Sequence, residues 1–375
     1  MFNLYFCKYF PEGVEGENFL LPDAKPHWNP SRDMILSHVY LDLLVELEAK
    51  KLKGTARISF TSIKKNLQSI FLDAREIRID RVTSDEGETL QFKQNDKGVR
   101  LHLAGPLGRG QSSTVCIDYG VENPRLGLYF TGPDEHYPDK LWQVWSQGQD
   151  EDNKYWFPCV DHPREKVTSE IRATVDKPYV VVSNGELKEK YEDDDGRLVY
   201  HWSMEQPHSI YLISLAIGAY IELTDHFEDI PLSFYVPEGR EEEGYRSFEK
   251  TADIVRYFSE KTGIRYPYRQ YSQVVAQDFI FGGMENTTAT TLTEMTLHDE
   301  RAHLDFTSEH LVAHELAHQW FGDLVTSKSW SHSWLHEGFA TYFDLLYTEH
   351  AEGEDEFYYR LLENRETYFE EHDSK

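Results

Sequence analysis

Two histidines four positions apart stand in the segment His314-Glu315-Leu316-Ala317-His318. On an α-helix such residues share one face, so both imidazoles can bind the same metal ion. Glu315 lies one position round from His314 and can reach a water held by that metal without being a ligand itself. The alternative interpretation is a helix with two ordinary histidines, because the chain has 17 histidines in 375 residues. The apolar residues that flank the segment favour a metal site, since they leave the histidine face in buried surroundings.

A third ligand is needed because a catalytic zinc site has three protein ligands and a water. Glu337 follows His318 by nineteen positions, which leaves room for a turn and a second helix that folds back towards the first. Its neighbour His336 is the competing candidate, but adjacent residues on a helix point in different directions. Asp344 comes seven positions after Glu337, on the same helix face, where it would accept the outer N–H of a ligand histidine. The alternative for Asp344 is a position facing solvent.

A glycine pair precedes these motifs in the segment Gly282-Gly283-Met284-Glu285-Asn286. Two glycines at the end of an apolar run allow another backbone to approach closely, as an edge strand that adds a peptide requires. Glu285 beside that edge supplies an acceptor for an ammonium group. Taken alone, the segment is weak evidence, because two glycines before a polar pair usually form a turn.

The elements that must position these groups change character along the chain. From residue 34 to residue 223, short segments with strand patterning are separated by turn sequences, which predicts an all-β domain of the sandwich type. These segments are His38–Glu46, Gly54–Phe60, Gly98–Leu103, Glu170–Val175, Tyr179–Ser183, Arg197–Trp202 and Ser209–Ala216. Later strands are predicted at Pro231–Val236 and Tyr271–Ala276, and helices at Glu241–Gly263, Ser308–Leu324, Trp334–His350 and Glu354–Phe369. We therefore predict an all-β domain over residues 1–225 and an α+β domain over residues 226–375.

Composition narrows the class of protein. A length of 375 residues corresponds to two or three domains, and a content of 39% hydrophobic and 14% aromatic residues excludes a disordered chain. The net charge of −28 disfavours nucleic acids and anionic membranes as partners. Cys7, Cys116 and Cys159 are three widely spaced cysteines, which fits a reducing compartment. The apolar run in Met1–Phe10 is too short for a signal peptide, and no window is apolar enough to span a membrane, so we expect a cytoplasmic protein.

Together these motifs resemble those of the aminopeptidase N family of gluzincin metallopeptidases, which includes the leukotriene epoxide hydrolases. The resemblance rests on HELAH, on Glu337 within WLHEGFA and on GGMEN upstream. Two further segments extend it over most of the chain. Ser146–Pro163 is similar to the family segment that begins Thr-Gln and ends Phe-Pro-Cys-x-Asp-x-Pro, and Ser209–Ile221 resembles the close of the family's N-terminal β domain.

The resemblance implies a saddle-like N-terminal β domain followed by a thermolysin-like catalytic domain. It implies a zinc aminopeptidase that acts on peptides with a free N-terminus and holds one Zn²⁺ per chain. The implied zinc ligands are His314, His318 and Glu337. Glu315 would then be the general base and later the proton shuttle, and Glu285 would bind the α-amino group of the substrate.

Further substrate contacts follow from the same resemblance. The Gly282–Met284 strand, with Asn286 close behind it, would hold the substrate backbone. Gln147 and Gln149 fall where the family places substrate-contacting residues of the β domain. Many members have glutamate at the position of Gln149, so the amine site here would carry one carboxylate fewer.

The chain departs from the family pattern after the third ligand. Only 38 residues follow Glu337, and none of them forms the Tyr-x-Lys-Gly segment with which the family stabilises the tetrahedral oxyanion. We therefore expect an incomplete catalytic domain and a weak or inactive chain, because such donors are typically worth 10²–10³ in rate. Two rival functions stay open at this point: an epoxide hydrolase that shares the same motifs, and a non-catalytic binding or scaffold module. The oligomeric state has no signal in the sequence.

Overall fold

The structure is a computed structural model that describes residues 29–374. The segment Met1–Phe10 and Cys7, on which predictions were made above, lie outside the described residues. Cys116 and Cys159 are both free thiols; the first is half-buried and the second is buried.

The first part of the described chain consists of strands connected by turns. Their bounds are β1 Met34–Glu46, β2 Lys51–Ser62, β3 Leu67–Asp73, β4 Arg78–Ser84, β5 Phe92–Gln94, β6 Gly98–Leu107, β7 Ser112–Glu122, β8 Leu128–Thr131, β9 Gln143–Ser146, β10 Lys166–Val175, β11 Val180–Ser183, β12 Glu186–Glu192, β13 Leu198–Ser209 and β14 Leu215–Gly218. They form a seven-stranded sheet in the order β12-β13-β10-β1-β2-β7-β4, a four-stranded sheet β11-β14-β9-β8 and a three-stranded sheet β3-β6-β5.

The large sheet is built around β1, which pairs antiparallel with β2 and parallel with β10. From Val39 onward every second residue of β1 points inward, so that Val39, Leu41 and Leu43 are fully buried while the residues between them are partly exposed. One apolar cluster joins these side chains to residues from the two smaller sheets. The prediction of an all-β N-terminal domain is confirmed.

The second part combines one mixed sheet with helices. Its elements are β15 Tyr220–Phe227, β16 Ile230–Pro237, α1 Glu241–Phe248, α2 Thr251–Thr262, β17 Tyr271–Ala276, β18 Gly283–Met284, β19 Ala289–Thr293, α3 Glu309–Ala317, α4 Trp334–Glu352 and α5 Glu354–Ser374. The sheet order is β15-β16-β17-β19-β18. The α+β character predicted for this part is therefore confirmed. The domain boundary predicted at residue 225 falls inside β15, and because β15 pairs with β16, sheet pairing favours a division between β14 and β15.

Three predicted elements differ from the structure. The one helix predicted over Glu241–Gly263 is divided into α1 and α2, which residues 249–250 separate. In the other two elements, side-chain and loop hydrogen bonds replace the regular pattern. The segment Ser209–Ala216 contains the end of β13, a 3₁₀ turn and the start of β14. The side-chain amides of Asn153 and Asn184 donate hydrogen bonds to backbone carbonyls of this turn. The helix predicted over Ser308–Leu324 ends already at Ala317. Beyond it the chain turns back, with Gly322 at a φ of 145° that favours glycine.

The helices pack around one apolar cluster that includes side chains of α2, α3, α4 and the central strands of the mixed sheet. Gly263 caps helix α2 directly after Thr262, and its left-handed conformation lets its N–H reach the carbonyl of Glu260. Helices α3 and α4 lie against each other, and α3 also contacts β18. The end of α3, the start of α4 and the strand β18 therefore meet in one place. Within residues 29–374, no helix combines the length and apolar character that crossing a bilayer requires.

Candidate functional site

The two histidines of the HELAH segment converge at the end of α3. His314 lies in the last turn, and His318 follows the helix directly with backbone angles that remain helical (φ −59°, ψ −25°). Their Nε2 atoms are 3.1 Å apart. The four-residue spacing therefore brings both imidazoles to one point, although the helix itself ends between them.

The orientation of His318 is set by the turn that follows it. Its Nδ1 lies 3.0 Å from the carbonyl oxygen of Phe321, so Nδ1 carries the proton and donates it there. Nε2, the ring nitrogen that this bond leaves free, faces Nε2 of His314 and Oε2 of Glu337. His318 is almost completely buried.

Glu337 reaches the same point from the first turn of α4. Its Oε2 lies 3.4 Å from Nε2 of His314 and 3.5 Å from Nε2 of His318. The adjacent His336 is buried and accepts a hydrogen bond at Nε2 from the Ser327 amide at 2.7 Å, so it points away from the other three groups. Partial removal from water alone would raise the pKa of Glu337, but the two imidazoles beside its carboxylate lower it.

These three donors fit a tetrahedral zinc ion. Ligand atoms about 2.0–2.1 Å from a tetrahedral zinc lie about 3.3–3.4 Å from one another, and the three separations here are 3.1, 3.4 and 3.5 Å. Two imidazoles and one carboxylate are a donor set that catalytic zinc sites use. The residues present therefore match the ion in both spacing and chemistry.

Further carboxylates lie next to the three donors. Glu285 and Glu315 each have an oxygen within 4.8 Å of a His318 ring nitrogen, and both side chains are buried. In the described part of the chain, neither forms an ion pair with a lysine or arginine. Burial alone would lower the pKa of His318, but the carboxylates of Glu285, Glu315 and Glu337 raise it to about 10. A cation bound beside these three carboxylates would offset their negative charge.

Glu315 is held inside this cluster by burial and by a glycine. Burial raises the pKa of Glu315 to about 7, so its carboxyl group exchanges a proton near neutral pH. The side chain passes directly over Gly283 of β18, where a β-carbon would lie 2.3 Å from Oε1. The glycine at this position thus leaves the space that Glu315 occupies.

The glycine motif forms the edge of the mixed sheet. Strand β18 pairs antiparallel with β19, and within the described residues it has no neighbour on its other side. Met284 and Asn286 are buried, and Asn286 donates through Nδ2 to Oγ1 of Thr291 at 3.2 Å. Glu285 between them accepts a hydrogen bond at Oε1 from the hydroxyl of Tyr211 at 3.1 Å. The free edge, with a buried carboxylate at its end, is the arrangement expected for binding an extended peptide.

The β domain contributes one of the two glutamines directly. Nε2 of Gln147 donates to Sδ of Met284 at 3.1 Å, and its buried Oε1 has no hydrogen-bond partner among the described residues. Gln149 is half-buried. It follows Gly148, at which a β-carbon would be 2.2 Å from the carbonyl oxygen of Tyr211. Gln147 thus touches the glycine motif, whereas Gln149 stands beside the turn that contains Tyr211.

Asp344 forms a different hydrogen bond from the one expected of it. Its Oδ1 lies 3.1 Å from Nδ1 of His310, one turn before His314 on α3. Of the two histidines, His318 has a hydrogen bond at its outer nitrogen, since its Nδ1 donates to the Phe321 carbonyl. The orientation of that ligand candidate therefore comes from the backbone and not from Asp344.

Two buried residues of this region had no signal in the local sequence. Tyr211 lies 74 positions before Glu285, inside a segment that reads as a strand. Asp323 is fully buried in the turn after His318, and burial raises the pKa of its carboxyl group well above the ordinary range. Only the tertiary fold brings these residues to the site.

Comparison with known proteins finds similarity to one peptidase family in both parts of the chain. The model of the peptidase M1 N-terminal domain matches residues 32–212, and the model of the peptidase family M1 domain matches residues 246–375. Probable aminopeptidase 2 of Sulfurisphaera tokodaii is 30% identical over 294 residues, which cover 75% of this chain and 36% of that protein. Aminopeptidase M1 of Arabidopsis thaliana is 32% identical over 236 residues, which cover 61% of this chain and 27% of that protein. The chain thus aligns with well under half the length of both relatives.

Proposed function

The chain belongs to peptidase family M1, and from that premise we propose that it is a zinc-dependent aminopeptidase that removes N-terminal amino acids from peptides. The observation that carries this proposal is the convergence of His314, His318 and Glu337 within 3.5 Å of one another. The buried carboxylates of Glu285 and Glu315 beside them supply the other two groups that the reaction needs. The names of the relatives, both aminopeptidases, agree with it.

Three residues would hold the zinc: His314 and His318 through Nε2, and Glu337 through its carboxylate. When bound, zinc supplies a Lewis acid that polarises the scissile carbonyl and lowers the pKa of water. The buried wall of α3 and β18 keeps bulk water from the carboxylates behind the ligands, which strengthens their electrostatic effect.

Glu315 would act as the general base and then as the general acid. A carboxyl group with a pKa near 7 accepts a proton from the attacking water and releases it again to the amine that leaves. Such proton transfer contributes about 10²–10⁴ to a rate. The tight contact with Gly283 keeps the carboxylate in one orientation for both steps.

Glu285 would bind the free α-amino group of the peptide. An ammonium ion at this carboxylate leaves a span of one residue between the amine and the zinc ligands, so the first peptide bond is the one that reacts. The unpaired edge of β18 would align the following residues through backbone hydrogen bonds. These features together favour an exopeptidase over an endopeptidase.

Metal analysis combined with an aminoacyl-arylamide assay tests the proposal. The wild-type chain should bind one zinc per molecule and release the arylamine only from substrates with a free amino group. Glu315→Gln should lose turnover by about 10²–10⁴ and keep its zinc, and Glu337→Gln should lose zinc. Glu309→Gln, which removes a carboxylate from the first turn of the same helix, is the matched control and should do neither. Loss of zinc in Glu315→Gln would make Glu315 a ligand and overturn its proposed role.

Selectivity is tested with Glu285→Ala. This variant should lose its preference for a free amine over an N-acetylated substrate, and an unchanged preference would refute the role of Glu285. The same preparation should also be assayed with an alkyl epoxide. Hydrolysis of the arylamide without hydrolysis of the epoxide would argue against the rival epoxide hydrolase activity. A chain that holds zinc and acts on none of these substrates would support the non-catalytic alternative.

A further inference from the structure

Tyr211 lies where the β domain meets the candidate site. It stands in the 3₁₀ turn Ile210–Leu212 between β13 and β14, and its side chain is fully buried. Its hydroxyl donates a hydrogen bond to Oε1 of Glu285 at 3.1 Å. Burial and the neighbouring carboxylate raise the pKa of Tyr211 well above the ordinary range, so the phenol stays protonated and remains a donor.

The turn that carries Tyr211 is fixed from several sides. Nδ2 of Asn153 donates to the Ile210 carbonyl at 2.6 Å, and Nδ2 of Asn184 donates to the Leu212 carbonyl at 2.8 Å. The close approach of Gly148 to the Tyr211 carbonyl closes a third side. With its backbone held in this way, the tyrosine cannot follow Glu285 if that carboxylate moves.

The same network also holds the backbone of the glycine motif. Nδ2 of Asn184 donates to the Thr287 carbonyl at 2.7 Å, two residues after Glu285. Nε2 of Gln319 donates to the Glu285 carbonyl itself at 3.2 Å. One asparagine thus ties the turn of Tyr211 to the chain that carries Glu285, and the distance between phenol and carboxylate becomes a property of the fold.

The ring of Tyr211 is positioned independently of its hydroxyl. It meets the Trp330 ring edge-on at 4.9 Å and lies parallel to the His336 ring at 6.5 Å. These contacts do not depend on the phenolic oxygen. Replacing the tyrosine by phenylalanine therefore removes one hydrogen bond and leaves the packing in place.

Glu285 needs such a donor because two roles compete for it. Its carboxylate forms a second possible ligand group with Glu315 and His318, and this group shares His318 with the zinc ligands. A carboxylate in that position can bind either the metal or the ammonium group of a peptide. The bond from Tyr211 engages Oε1, so that this oxygen is not free to bind the metal, and the other oxygen of Glu285 can accept from an ammonium group.

We propose that Tyr211 is a positioning residue that directs the Glu285 carboxylate to the α-amino group of the substrate and keeps it off the metal. The part of this proposal that concerns the substrate rests on the proposed aminopeptidase function. The part that concerns the metal rests only on the geometry of the two groups of possible ligands that share His318.

Tyr211→Phe tests the substrate side. The variant should raise KM for a panel of free-amine aminoacyl-arylamides by about 10- to 100-fold, the effect of losing a hydrogen bond to a charged group, with a much smaller change in kcat. Its preference for free over N-acetylated substrates should fall by the same factor. Tyr271→Phe is the matched control, because it removes an equally buried hydroxyl whose partner is the neutral Thr290. The control should keep the KM of the wild type.

The metal side is tested with cobalt(II) as a spectroscopic probe, without any need for turnover. Tyr211→Phe should change the visible absorption of the cobalt-loaded protein as Glu285 joins the ligands, and the double variant Tyr211→Phe/Glu285→Gln should restore the wild-type spectrum. A Tyr211→Phe variant with the wild-type KM, selectivity and spectrum would overturn the inference. If the wild type binds cobalt but hydrolyses no substrate, the proposed function fails while the spectra still decide the role of Tyr211.

Discussion

Gly283→Ala should disable the site without touching a metal ligand. A β-carbon at this position would lie 2.3 Å from Oε1, 2.4 Å from Cδ and 2.5 Å from Cγ of Glu315, all closer than real β-carbons come to other atoms. Strand β18 cannot withdraw easily, because Gly283 pairs with Leu292 of β19. Helix α3 cannot withdraw either, since the residues on both sides of Glu315 pack into the apolar cluster or the ligand group. The carboxylate of Glu315 must therefore move.

The size of the effect follows from these distances. An ordinary contact is about 3.5 Å, so the carboxylate has to shift by about 1 Å. A misplacement of that size costs about 10²-fold in rate, within the 10²–10⁴ that a general base supplies. Overpacking of this kind lowers the free energy of unfolding by about 1–3 kcal/mol. We expect kcat for a free-amine arylamide to fall about 100-fold with one zinc still bound.

Gly282→Ala, one residue earlier in the same motif, is the matched control for kcat. Its KM is left out of the comparison, because the Gly282–Met284 strand also lies where the substrate backbone would bind. Its β-carbon would meet only Cδ1 of Leu311, at 3.2 Å, which is the end of a flexible side chain. Neither glycine has the positive φ at which alanine is strained, so the two variants differ only in what the new methyl group meets. The kcat at saturating substrate, the zinc content and chemical unfolding should be measured for both variants. The reasoning is refuted if Gly283→Ala turns over like the wild type, or if Gly282→Ala loses as much.

Two further predictions concern the β domain. His208 is fully buried against Ser169, and burial lowers its pKa to about 3. Since the unfolded chain binds this proton at about pH 6.5, the free energy of unfolding should fall as the pH drops from about 6.5 towards 3, by about 2–3 kcal/mol at pH 4.5. His208→Gln should flatten that dependence in denaturant titrations, and an unchanged slope would contradict the assignment. Lys166 donates through Nζ to the carbonyls of Asp323 and Leu324, at 2.9 and 3.0 Å, in the turn that follows the HELAH segment. Lys166→Met should weaken zinc binding about 10-fold or more in a chelator competition, and Lys166→Arg should recover part of it; equal affinities in all three proteins would show that the turn keeps its shape without the lysine.

Local periodicity accounts for what the sequence predicted well. Strands such as β1 alternate with a period of two and were recognised within a few residues, because a sheet with one buried face imposes that pattern. The spacing of His314 and His318 needs only one helical turn, and the position of Glu337 needs only two helices joined by a turn. The family followed from the same motifs, and both family models now match the chain.

Tertiary hydrogen bonds account for what it predicted poorly. The turn at Ile210–Leu212 has the composition of a strand, and the amides of Asn153 and Asn184, 57 and 28 residues from their carbonyl partners, help to hold it as a turn. The helix predicted to continue beyond Ala317 ends there, and the chain turns back because the amides of residues 323–325 donate to the carbonyls of residues 318–320. The partners that hold the Ile210–Leu212 turn are far apart in sequence, so neither periodicity nor residue propensity reports them. The loop contacts after Ala317 are local, but they follow no helical period.

The same limit explains why residue type alone cannot assign the three glutamates of the site. Glu285, Glu315 and Glu337 have identical side chains, and they differ in what surrounds them. Glu337 stands half-exposed between two imidazoles, Glu315 is buried against a glycine, and Glu285 accepts a bond from Tyr211. These surroundings suit a ligand, a base with a pKa near 7 and an acceptor for an ammonium group, in that order. A substitution at a residue that contacts one of these glutamates should therefore change the role of that glutamate, even though the glutamate itself is kept. For this reason Gly283→Ala, beside Glu315, and Tyr211→Phe, beside Glu285, are the variants that discriminate best.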